Sequence, residues 1–313
     1  MKRPMSRLSN MLAPAFLLGA CSTAPGSAAP ATDSAEAPPS RLAAACEGHD
    51  GWADAAPPAH LYGNTWYVGT CGISAILITG KQGHILIDGG LPEAAPMVLA
   101  NIQAAGFKVK DVRWLLSSHE HFDHAGALAE LRRATGARLA ALPAAAEVLE
   151  TGKANPNDPQ FGQLDPFPAV HVDKRLSGGE SITLGDITVT ARATLAHAAG
   201  STSWTWQSCG KDGKCLTIAY ADSASAISAK GYRFTDHPDR IADVREGLRR
   251  IAALPCDLLV TPHPGASDLF TRLAGKSPLV DPTACRTYAA AANARFDERL
   301  SEEAAAAAKE TRS

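Results

Sequence analysis

Neither sign of charge prevails in this chain: 30 lysines and arginines stand against 32 aspartates and glutamates, a formal net charge of -2. That balance gives no electrostatic case for a nucleic-acid partner, which needs a basic patch or stripe. Beyond the first twenty residues no apolar run is long enough to span a membrane, which takes about 20 consecutive apolar residues. No short-period repeat is present, which argues against stacked-repeat architectures. The 313 residues leave ample length for a core, as one large α/β domain or two small ones.

What is present begins with an export pattern over residues 1–21. Lys2, Arg3 and Arg7 precede an apolar core at residues 11–20 that is too short for a stable span. Its end, Leu18-Gly19-Ala20-Cys21, resembles a lipoprotein lipobox, where cleavage precedes the cysteine and Cys21 carries lipid. The alternative is an ordinary signal peptide cut after Ala28 or Ala29. Both routes lead to the periplasm, the first with membrane attachment through Cys21. Residues 22–44 are rich in Ala, Pro and Ser and read as a disordered tether. The folded domain is expected over residues 45–300, with a frayed Ala-rich tail at 301–313. Of seven cysteines, six remain once Cys21 is set aside, and an even set in an exported protein reads as disulfides. Cys209 and Cys215 flank a hairpin-like turn and are expected to pair. Cys46–Cys71 and Cys256–Cys285 complete the expected set, one connectivity among those that six cysteines allow.

Apolar patterning predicts strands at residues 64–68, 74–79, 84–88, 112–116, 138–142, 201–207, 216–220 and 258–261, and a hairpin over 181–194. Helices are predicted at 93–105, 125–135, 144–150, 239–254 and 282–300. Residues 151–179 carry four prolines and no periodicity, and a loop that long in a compact domain is usually functional. Strands then helix, repeated, fits two halves with two sheets face to face and helices outside.

The chemistry is concentrated in Ser117-Ser118-His119-Glu120-His121-Phe122-Asp123-His124-Ala125-Gly126. Four metal-capable side chains fall within six residues, on the turn leaving a strand's carboxyl end, where open α/β sheets place ligands. His119, His121 and Asp123 alternate, so an extended turn aims them at one point, while His124 diverges toward a second. Imidazoles with a carboxylate and no thiolate suit zinc or another borderline divalent ion. A polar loop capped by Asp123 is the bland reading, and three histidines this dense disfavour it. His197 and His263 also follow apolar strands and precede small or turn residues. His49, His60, His84, His171 and His237 have no metal spacing.

His119-x-His121-x-Asp123-His124, followed by His197 and His263, resembles the metallo-β-lactamase superfamily. His124, the absence of a cysteine ligand, Tyr220-Ala221-Asp222-Ser223-Ala224-Ser225 and Thr261-Pro262-His263-Pro264-Gly265-Ala266-Ser267 resemble its subclass B3. The resemblance implies an α/β fold, an αβ/βα four-layer sandwich of two mixed sheets with helices on the outer faces. It implies two zinc ions, one held by His119, His121 and His197, the other by Asp123, His124 and His263. A zinc-bound hydroxide would open the amide of penicillins, cephalosporins and carbapenems, conferring antibiotic resistance, with Asp123 orienting it. Ser223 would lie near the second ion, Ser225 would help hold the substrate carboxylate, and Gln160, Phe161 and Trp52 would line or roof the pocket. Asp88 would support the site from behind or cap a turn. The partner is a small molecule, and no interface signal argues against a monomer.

One departure stands out. Where the resembled pattern is Pro-Gly-His-Thr-Pro-Gly, this chain has Leu195-Ala196-His197-Ala198-Ala199-Gly200, and losing those Pro and Gly residues alters turn rigidity around His197. Other readings are a thioesterase of the glyoxalase II type, with Asp222 as a bridging carboxylate, a lactonase, or a zinc-binding exported protein without catalysis.

Overall fold

The computed structural model describes residues 38–310. The expected signal segment, Cys21 and the tether as far as residue 37 lie outside the described residues. The chain then runs through α1 (Pro39–Ala45), β1 (Ala59–Tyr62), β2 (Thr65–Tyr67), β3 (Ile76–Gly80), β4 (Gly83–Ile87), α2 (Ala95–Ala104) and β5 (Val112–Leu116). Next come α3 (Phe122–Ala125), α4 (Leu128–Thr135), β6 (Arg138–Ala141), α5 (Pro143–Leu149), β7 (Lys174–Arg175), β8 (Ser181–Leu184), β9 (Ile187–Ala193), β10 (Thr202–Cys209) and β11 (Cys215–Tyr220). The last part holds α6 (Pro238–Ala252), β12 (Leu258–Val260), α7 (Leu269–Leu273) and α8 (Ala284–Glu310). Proline in the first turn of α1, α2, α5 and α6 starts those helices where its missing N–H costs nothing. Gly136 ends α4 in the left-handed conformation that glycine adopts without strain.

The strands form two mixed sheets. One has the order β1-β2-β3-β4-β5-β6-β7, antiparallel through β4 and parallel thereafter. The other has the order β12-β11-β10-β9-β8, with only β11 and β12 parallel. Strand alternation sends Ile85 and Ile87 of β4 to one face and Leu86 to the other, and all three are buried because both faces are covered. Between the sheets, Ile76, Ile85 and Leu116 meet Trp204, Ile218 and Val260. The outer face of the first sheet packs Leu86 and Leu115 with Val98 and Ile102 of α2 and Leu128 and Leu131 of α4. On the second sheet Ala219 and Leu259 pack with Val244 and Leu248 of α6 and Ala292 and Phe296 of α8. The architecture is the expected αβ/βα four-layer sandwich.

Cys46 is bonded to Cys71, Cys209 to Cys215 and Cys256 to Cys285. The first joins the α1 arm to the loop after β2, the second closes the β10–β11 hairpin, and the third ties α8 to the segment entering β12.

Several boundaries need correction. The expected tether, residues 22–44, overlaps α1, whose Leu42 is fully buried and packs with Leu269 and Leu273 of α7; one leucine turned inward anchors an otherwise alanine-rich segment. The tail expected to fray from 301 continues as helix to Glu310, where Glu303 accepts the Thr235 N–H (2.9 Å) and binds Arg299, and Glu310 binds Arg233. The helix predicted over 125–135 is two pieces, α3 and α4, because the chain bends at residues 126–127, where Ala127 N–H bonds back to Gly90. Strands β1, of four residues, and β7, of two, are not among the predicted strands.

Candidate metal centre

The carboxyl ends of β4, β5, β11 and β12 lie at one edge of the two sheets, and the motif loop after β5 is fastened there. Thr202 N–H donates to the Ser118 carbonyl (2.6 Å) and Trp204 Nε1 to the Ser117 carbonyl (3.1 Å), so β10 of the second sheet holds a loop of the first. Ser74 N–H donates to the Pro262 carbonyl (2.7 Å), fixing the loop that carries His263.

All six expected ligand residues meet at this edge. The rings of His119, His121 and His197 are mutually 4.7–4.8 Å apart between centroids, and His121 Nδ1 lies 3.1 Å from His197 Nε2. Beside them, Asp123 Oδ2 lies 3.0 Å from His124 Nε2 and 3.3 Å from His263 Nε2, and those two nitrogens are 3.2 Å apart. His119 and His124 rings, 4.3 Å apart, join the two groups.

Whether this cluster fits a metal is decided by the far side of each ring. His119 Nδ1 bonds Asp222 Oδ1 (2.8 Å), His121 Nε2 bonds Asp158 Oδ2 (3.0 Å), and His197 Nδ1 bonds the Ser225 carbonyl (2.7 Å). Carboxylates and carbonyls only accept, so the outward nitrogen of each ring carries the proton and the inward one a lone pair. Three lone pairs therefore converge, with His119 Nε2 buried and lacking any hydrogen-bond partner. Lone pairs facing each other at 3.1 Å repel unless a cation lies among them, so the donor set fits a divalent metal. Burial first, then the neighbouring imidazoles, hold His119 and His197 well below the ordinary histidine range, which keeps them neutral. Burial opposes charge on His121 too, but the Asp158 hydrogen bond and the Asp158, Glu120 and Asp123 carboxylates together raise that group; its neutral form, with the lone pair on Nδ1, is the one that can bind a metal.

Asp88 stands behind the second group. Its carboxylate accepts Ser118 N–H (2.7 Å), Ser118 Oγ–H (2.6 Å) and Tyr220 O–H (2.7 Å), and lies 3.7 Å from His124 Nδ1. Burial pushes Asp88 up to about 6 against those hydrogen bonds. Its φ of 60° is unusual for a residue other than glycine, and such strain persists where surrounding structure over-determines it. Burial opposes ionisation of Asp123 as well, but His124, His263 and His119 together override it and hold that carboxyl well below the usual range.

The remaining predicted residues divide. Gln160 Nε2 approaches His197 Nε2 at 3.4 Å, which places the long loop over the first group. Trp52 lies against His263 (5.7 Å) and Phe122 (6.0 Å), whereas Phe161 is half-exposed and lines a cavity with Asp158 and Arg240. Ser225 is turned to His197, its Oγ 3.2 Å from Nδ1, so it supports a ring in addition to any role toward substrate. Ser223 is buried next to Asp222, with no contact to the ligand atoms among the described residues. Asp222 stands behind His119 and not between the two groups, which disfavours the bridging-carboxylate alternative. Glu120 points away, as expected, but it is buried and accepts the Gly200 N–H (3.0 Å). A Cβ on Gly200 would come within 2.5 Å of both Glu120 and Ala145, so glycine is required there.

Asp158 was not foreseen. An Asn-Asp-Pro stretch in a long loop reads as a turn, and its partner is 37 residues away. The Asp158 Oδ1 also accepts the Gln160 N–H (2.7 Å), so one carboxylate sets both the loop and the His121 tautomer. Asp158→Ala is expected to weaken metal binding by about 10- to 100-fold, the usual effect of removing such a support. Competition with a chromophoric chelator checks this, and unchanged affinity would count against the role.

Residues 68–210 match the metallo-β-lactamase superfamily. The solved structure of the metallo-β-lactamase MIM-1 from Novosphingobium pentaromativorans is 59% identical, with 86% of this chain and 99% of that chain covered and a TM-score of 0.84. MEM-A1, a subclass B3 metallo-β-lactamase from a soil metagenome library, is 42% identical over 82% of this chain and 99% of that one, with a TM-score of 0.78. A hydroxyacylglutathione hydrolase from a Bradyrhizobium species is 29% identical over 113 residues, 36% of this chain and about a third (35%) of that protein's length. Identity this high across nearly the whole of a solved relative, with six metal-capable side chains at the edge where the sheets end, means that the chain belongs to the metallo-β-lactamase superfamily and to its subclass B3.

Proposed function

We propose that this protein is a periplasmic β-lactamase that hydrolyses the amide of penicillins, cephalosporins and carbapenems, with two zinc ions held by His119, His121 and His197 and by Asp123, His124 and His263. The observation that carries this reading is the convergence of three imidazole lone pairs whose opposite N–H groups are all committed to acceptors. Bound zinc supplies Lewis acidity and lowers the pKa of a water from about 15.7 to about 7. Asp123, beside His124 and His263, would orient the attacking water by accepting its hydrogen bond and would relay its proton. Gln160, near His197, and Trp52, against His263, would with Phe161 roof a seated lactam and exclude bulk water. Ser223 and Ser225 follow β11; Ser223 would hydrogen-bond a water near the second ion, and Ser225 would help hold the substrate carboxylate. Export rests on residues 1–21, Cys21 is the candidate lipid anchor, and a monomer is the expected form.

The test is turnover of a penicillin, a cephalosporin and a carbapenem by the purified protein, with metal counted by elemental analysis. Hydrolysis lost on chelation and restored by zinc is expected. Fewer than two ions with every lactam left closed would sink the proposal. The partial match to a hydroxyacylglutathione hydrolase supports a second reading, hydrolysis of a glutathione thioester. Thioester turnover without β-lactam turnover would select it.

A further inference from the structure

The loop that carries His197 contains leucine, three alanines and glycine around the histidine, and neither proline nor a β-branched residue. Nothing in those side chains restricts the backbone, yet ligand atoms need placement to within about 0.5 Å to serve a metal site. The restraint comes from outside the loop. Arg240, in the first turn of α6, donates from one terminal nitrogen to the Leu195 carbonyl (2.7 Å) and from the other to the Ala196 carbonyl (2.8 Å). Two turns further along, α6 presses on the same peptides: a Cβ on Gly247 would lie 2.4 Å from Ala196 N. Arg250 donates to the Ala193 carbonyl (3.1 Å), at the end of β9 and outside the loop. On the far side, Glu120 accepts Gly200 N–H and Ser201 Oγ accepts Ala198 N–H (2.9 Å).

We propose that Arg240 is a positioning residue for His197, clamping from α6 a loop whose own sequence does not stiffen it. The planar fork of a guanidinium can hold two adjacent carbonyls in one orientation, which a lysine ammonium cannot reproduce. With the Leu195 and Ala196 carbonyls held, the peptide plane that carries His197 N and Cα is held, and the Ser225 carbonyl then sets the ring. A cavity of about 850 Å³ lies against Arg240, so a shorter side chain there meets open space and not packed core. The inference rests on His197 being a metal ligand, as in the proposed function.

The test compares R240M, which removes both donors, with R250M, which removes the same kind of contact from the same helix but outside the loop. Zinc affinity is measured by chelator competition, and the cobalt(II) spectrum reports the ligand field. R240M is expected to lose tenfold or more in affinity with a changed cobalt spectrum, and R250M less than threefold. Ala199→Pro, which stiffens the loop from within, is expected to shrink the R240M loss to under threefold. If R240M does not fold, R240K takes its place, with a loss of threefold or more expected. Equal losses in the Arg240 and Arg250 variants, no loss at Arg240, or a loss that Ala199→Pro leaves intact each overturn the clamp. A wild-type protein that takes up no zinc overturns the metal site as well, whereas a wild type that binds zinc and an R240M that binds it equally overturns the clamp alone.

Discussion

His121→Ala is expected to lower kcat/KM toward any β-lactam the protein hydrolyses by about a thousandfold or more. His121 Nδ1 lies 3.1 Å from His197 Nε2, so the substitution removes one of three lone pairs that converge on one point. A metal Lewis acid contributes several kcal/mol to transition-state stabilisation, and each 1.4 kcal/mol is about tenfold in rate. The loss reaches further than one ligand, because Asp158 is left facing a gap in place of the ring it orients, and a buried carboxylate without its partner is costly. Turnover at saturating zinc and metal content per chain would be measured together. A variant that keeps full turnover with two ions bound refutes the ligand assignment.

Trp204→Ala is expected to have the largest effect on stability, about 3–5 kcal/mol for a fully buried tryptophan, or on the order of 10 °C in Tm. Trp204 is wholly inaccessible between the two sheets, and its Nε1–H meets the Ser117 carbonyl at the base of the motif loop. Packing and polar effects separate with Trp204→Phe, which keeps much of the ring volume but leaves that carbonyl unmet, a loss of about 1–3 kcal/mol. Both variants are also expected to weaken metal binding, since the Ser117–Ser118 peptides join the two sheets directly behind His119. Thermal denaturation of the metal-free protein checks the stability effect. A Tm shift under about 2 °C for the alanine variant would show that the joint carries little.

The sequence by itself determined the site's identity. Four of the six proposed ligands fall in one turn, so their convergence is a local property of residue spacing, and His197 and His263 are marked by the apolar strands before them. The layers were legible for a similar reason: a strand buried on both faces, like β4, carries consecutive apolar residues (Ile85-Leu86-Ile87), and the outer helices carry one apolar face each. The disulfides were legible as a set because an even number of cysteines in a chain expected to be exported has few other uses.

Only the tertiary structure decided what holds the ligands still. Asp158 reaches His121 across 37 residues, Asp222 reaches His119 across 103, and Arg240 reaches the His197 loop across 45 and 44. No periodicity links such pairs, because a side-chain hydrogen bond depends on where packing leaves two elements and not on what either element is. The same holds for Leu42, a single inward side chain that turned part of an apparent tether into helix. Metal-binding atoms are chosen by residue type, which a sequence states outright. Their tautomers and poses are set by neighbours that come together only when the sheets and helices close around them.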